Sequence, residues 1–117
     1  MLLSELLESA LPRNGTMENA LAKMAAGYLQ GKTATENTCY AHVGSELARL
    51  QPADASIRFW GLKSRGLVVH GDAVLADGTV ISDSPPELYA RKGYELVSTL
   101  PLANFLAHVK RLSQGSV

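Results

Sequence analysis

The chain is 117 residues long and carries eleven basic and eleven acidic side chains, for a formal net charge of zero. That length supports one domain with a sizeable core, and the balance provides no general attraction to nucleic acid or to an anionic membrane. A single cysteine excludes an internal disulfide and, with three histidines, speaks against a four-ligand structural zinc site, so neither metal nor cofactor is expected. The N-terminus, from Met1 to Glu8, has acids where a signal peptide has basic residues and no membrane-length apolar run; a cytoplasmic protein with no membrane partner is expected.

Taken in order, Leu3, Leu6, Leu7, Ala10 and Leu11 recur at helical spacing up to the turn Pro12–Gly15. Their apolar stripe suits core packing or a homodimer contact. A second helix is predicted from Thr16, with Met17, Leu21, Met24, Ala25 and Tyr28 on one face, stopping near Gly31. A third follows with Tyr40, Val43, Leu47 and Leu50 along one seam and ends before Pro52. Thr33, with Glu36, fits its N-terminal cap as a capping box; Thr38 is the alternative. With Thr38 as cap, Cys39 is the first helical residue, where the helix dipole and free amides favour a thiolate.

Residues 57–62, Ile-Arg-Phe-Trp-Gly-Leu, read as a strand, and Ser64-Arg65-Gly66 as a turn. Asp77-Gly78 predicts a two-residue hairpin turn between strands 67–76 and 79–83. In that register Val74 faces Ile81 and Asp72 faces Asp83, so His70, Asp72 and Val74 share a face with Thr79, Ile81 and Asp83. His70 and Asp83 are then diagonal neighbours. After Pro85-Pro86 come a helical turn over Glu87–Arg91, a last strand at Tyr94–Val97, and a helix capped by Thr99 with Pro101 in its first turn. Leu102, Phe105, Leu106, Val109 and Leu112 form its stripe. The expected fold is α+β in a single domain over 1–117: N-terminal helices, a small antiparallel sheet covered mainly on one side, and a C-terminal helix.

Three pieces of this chain resemble the papain-like and transglutaminase-like cysteine enzymes, in particular their small bacterial and phage members. Asn37-Thr38-Cys39-Tyr40-Ala41-His42 looks like the nucleophile helix, Phe59-Trp60-Gly61 like the strand before the histidine, and Val68-Val69-His70 with residues 78–83 like the histidine, hairpin and aspartate element. The resemblance spans about residues 33–100, leaving residues 1–31 as leading helices and 100–113 as a closing helix, and it implies a papain-like core. It also implies Cys39 as nucleophile, His70 as general base and acid, Asp83 as the orienting residue, and an oxyanion hole using the Cys39 amide with Asn37 or Gln30. His70 is followed here by Gly71-Asp72, where the family has a small residue and an aromatic. Asp72 is thereby a second candidate to orient His70, and two opposed acids require a proton, a cation between them or a shifted register.

Two functions follow. One is a cysteine hydrolase or acyltransferase acting on an amide, a thioester or a glutamine side chain of a protein or small-molecule substrate, through an acyl-enzyme. The other is a catalytically inactive papain-like binding module, such as a phage or effector protein that docks on a host factor. The exposure and acidity of Cys39 discriminate them. The serines near His70, Ser64, Ser82 and Ser84, have no turn-to-helix setting suited to a nucleophile.

Overall fold

The structure, a computed structural model, describes residues 16–30, 39–82 and 87–114. The stripe at 3–11, both candidate caps Thr33 and Thr38, and Asn37, Asp83 and Pro85 lie outside the described residues. Four helices and a four-stranded antiparallel sheet make up the described part: α1 (Met17–Gln30), α2 (Cys39–Leu50), β1 (Ala55–Leu62), β2 (Leu67–Leu75), β3 (Val80–Ile81), α3 (Glu87–Arg91), β4 (Glu95–Pro101) and α4 (Leu102–Gln114), with a 3-10 turn at Lys63–Arg65. The strand order is β3-β2-β1-β4. None of the described helices is long and apolar enough to cross a membrane.

The predicted stripes build one core. The Thr16 hydroxyl accepts the Asn19 amide, as expected of a residue at the start of α1. Met24, Ala25, Tyr40, Val43 and Leu47 of α1 and α2, with Leu102, Phe105 and Val109 of α4, pack on Ile57, Phe59, Ala73 and Ile81 of the sheet. Tyr28 meets Phe105 edge-on at 5.9 Å between ring centroids. The burial of β1 alternates strictly, with Ala55, Ile57, Phe59 and Gly61 turned to this helical layer. On the other side of the sheet lies the short helix α3, whose Tyr89 packs on Trp60 and His70.

Three expectations need correction. The hairpin does not turn in two residues: the Leu75 amide donates to Thr79 O at 2.8 Å and Gly78 N–H to Leu75 O at 2.9 Å, closing a three-residue loop over residues 76–78. Gly78 takes the left-handed conformation at φ 89°, which a residue without Cβ adopts at no steric cost. The register is therefore Ala73 with Ile81 and Val74 with Val80, one residue away from that predicted. Ile81 thereby turns into the core, and His70, Asp72 and Val74 share their face with Val80 instead.

The last strand is longer than predicted, running from Glu95 through Pro101 straight into α4. Thr99 and Pro101 belong to it rather than capping the helix, because Ser56 and Arg58 of β1 hold them in the ladder. Finally, both neighbours of β1 carry a bulge at its Trp60, with Val69 the extra residue of β2 and Val97 that of β4. The Val69 bulge turns Val68 into the core while leaving His70 on the opposite face.

Asp77 secures the loop by accepting the Thr79 amide at 2.9 Å. That bond holds its carboxyl below the usual range, and the Thr79 hydroxyl lowers it further. A depressed folded-state value contributes stability above the unfolded carboxyl's titration and loses it as pH falls through the folded one. Asp77→Asn is thus expected to flatten the acid limb of the stability curve below about pH 4. Urea unfolding of both proteins from pH 5 to pH 2 checks this, and parallel curves would count against it.

Candidate functional site

The outer face of the sheet gathers the chemistry-bearing side chains. Trp60 and His70 are directly opposed across β1 and β2, as are Arg58 and Asp72 two residues on. His70 is buried, with its imidazole 4.1 Å from the Tyr89 ring centroid. Its Nε2 lies 3.3 Å from Ser82 Oγ, and that hydroxyl is 2.6 Å from Tyr89 Oη. The ring is thus fixed by a serine just past β3 and by a tyrosine on α3.

Asp72 is fully buried, and Arg58 grips both of its oxygens, Nε to Oδ1 at 2.8 Å and Nη2 to Oδ2 at 2.7 Å. The hydrogen bonds to Asp72 raise the arginine's pKa, while burial opposes them. A bidentate guanidinium–carboxylate pair is the strong form of such a contact. The guanidinium also lies 5.2 Å from the Trp60 ring, within cation–π range. Trp60 Nε1 is buried without an acceptor among the described residues, an arrangement that calls for a water or ligand oxygen. Beside the pair, a hollow of about 180 Å³ is lined by Ser56, Arg58 and Val74 among others.

The predicted site residues fall as follows. Cys39 is the first residue of α2, the position expected with Thr38 as cap; its side chain, like Asn37 and Asp83, is outside what the structure describes. Gln30 ends α1 with an exposed side chain. Tyr40, next after Cys39, packs over Gly71, next after His70, so tightly that a Cβ on Gly71 would lie 3.0 Å from Tyr40 Cδ1. The start of α2 and the His70 segment of β2 therefore meet. Tyr40 lies on the inner face of the sheet, however, and the His70 ring on the outer. Asp72 has the cation that two opposed acids would require, but it comes from Arg58 on the other neighbouring strand.

Sequence reasoning gave Arg58 and Tyr89 no role and weighed Ser82 only as a nucleophile. The alternation of β1 already placed Arg58 with Trp60 on the face away from Ile57 and Phe59, and was the available signal. Tyr89 had none, because α3 is one turn of helix whose docking place is set by the fold. Compared with known proteins, the chain matches no family model, no curated protein and no solved structure.

Proposed function

We propose that Cys39 and His70 form a thiol–imidazole pair where the start of α2 meets β2, and that the protein is a cysteine hydrolase or acyltransferase. The observation that supports this reading is the Tyr40–Gly71 contact, which brings the residues next to Cys39 and His70 together. Two features agree with it. Cys39 occupies the first helical position, where amides without helical partners and the dipole favour a thiolate. In addition, β3 pairs with β2 only at Ala73 and Val74, so among the described residues no strand flanks the His70 stretch on that side.

In this mechanism the Cys39 Sγ proton passes to the imidazole and the sulfur adds to the carbonyl carbon of an amide, thioester or glutamine side chain. The imidazolium returns that proton to the departing amine or thiol as the carbon–heteroatom bond breaks. Water or an amine then attacks the resulting thioester, giving its proton to the imidazole and releasing the thiol. Ser82 and Tyr89 act as positioning residues that hold the ring through Nε2. Asp83 is the proposed orienting acid and Asn37 or Gln30 the proposed oxyanion partner.

A specific observation favours a second reading, a binding module without thiol chemistry. The His70 ring is packed against Tyr89 on the face of the sheet opposite to the α2 seam. Alkylation of native Cys39 by iodoacetamide as a function of pH separates the two. The enzyme reading expects fast reaction with an apparent pKa below the free-thiol value of about 8.5. It also expects slowing in His70→Gln, and an upward shift of the profile in Tyr89→Phe and Ser82→Ala. Slow alkylation, indifferent to His70 in a protein of unchanged circular dichroism, selects the binding module.

A further inference from the structure

In the helical layer, across the sheet from His70, α4 and α1 meet at Tyr28 and Phe105 but, among the described residues, leave a gap near Leu21. Between them lies an open trough of about 360 Å³, within the range of ligand sites. Leu21, Leu100, Ala103 and Ala107 give it an apolar lining, the two alanines leaving the room, with Asn104 as a polar neighbour. Its far end is polar: the Arg111 Nη2 donates to His108 Nδ1 at 3.3 Å. Burial, with Arg111 second, pushes the His108 pKa down, so near neutral pH the imidazole accepts that bond uncharged. Arg111, like Arg65 and Arg91, makes no ion pair among the described residues, and of these three it alone lines the trough. A cation steered by a neutral ring, with no counter-charge among the described residues, sits at the mouth of an apolar channel.

We propose that this trough binds a small monocarboxylate with an apolar tail, the carboxylate on Arg111 and the tail along Ala107, Ala103 and Leu21. The complementarity is one of both charge and shape. From Ala103 to Arg111 the helix runs about 12 Å, the length of a medium alkyl chain rather than of a lone anion. The site shares no residue with the Cys39–His70 region, so its standing is independent of the thiol reading.

Octanoate titrated into the isotope-labelled full-length protein tests it by NMR. Expected are saturable shifts centred on the Leu21, Ala103 and Ala107 methyls, at least tenfold weaker binding in Arg111→Gln, and loss of binding in Ala107→Phe, which fills the trough and leaves the charge. Both positions are exposed, so the variants should fold. Acetate and 1-octanol should each bind much more weakly, lacking tail or charge. No saturable shift at those methyls, equal binding by octanol, or affinity unchanged in Arg111→Gln would overturn the proposal.

Discussion

Replacing Gly44 by valine is expected to remove a large part of the protein's stability. α1 and α2 cross where Gly44 faces the backbone of Met24 and Gly27 that of Ala41; a Cβ at Gly44 would overlap the Met24 carbonyl oxygen, and one at Gly27 the Ala41 carbonyl oxygen. Because the obstacle is main chain, no rotamer change relieves it and the helices must separate. The seam they would open contains Met24, Ala25, Tyr40, Val43 and Leu47, all at or near full burial. Overpacking typically costs about 1–3 kcal/mol even where side chains can adjust. Here a loss above about 3 kcal/mol is expected, against about 5–15 kcal/mol of total stability for a domain. Arg49→Val, exposed on the same helix, serves as the comparison in urea unfolding. If the two variants shift the midpoint alike, the glycine crossing does not hold the layer together.

Arg58→Met is expected to be the most damaging change on the outer face. It strands the Asp72 carboxylate, which has no exposed surface of its own, and removing one partner of such a pair costs about 3–5 kcal/mol. Asp72→Leu should cost less, because the Arg58 side chain is 26% exposed and its guanidinium can turn to water. Carrying both changes should recover much of the loss, since an apolar pair of similar volume often replaces a buried ion pair without penalty. Urea unfolding of the four proteins forms a double-mutant cycle. A double variant no more stable than Arg58→Met, or a smaller loss in Arg58→Met than in Asp72→Leu, would show that the pair does not act in this way.

The helices were legible because their signal is local and redundant. Thr16 at the start of α1, the seam Tyr40, Val43 and Leu47, and the stripe Leu102, Phe105 and Val109 each fix a face through several residues at once. The inner face of β1 was legible in Ile57 and Phe59 for the same reason. The α+β arrangement followed from the order of those elements.

The faces of the hairpin were not legible in the same way. Asp77-Gly78 favours a two-residue turn but also fits a three-residue one with glycine last, and one residue of loop exchanges every side chain between the two faces. The choice falls to the core, which accepts Ile81 opposite Ala73. The bulges at Val69 and Val97 depend on packing in the same way, admitting Val68 and Val97 to the helical layer. The cluster of Arg58, Asp72, His70, Ser82 and Tyr89 joins residues up to 31 positions apart, and no local pattern couples β1 to α3. The sequence by itself determined the order of the coiled and extended segments, and it left Cys39 at either the first or the second turn of its helix. Tertiary structure alone decided that His70 turns outward, towards Tyr89, because strand register is set by long-range burial and not by the residues that carry the chemistry.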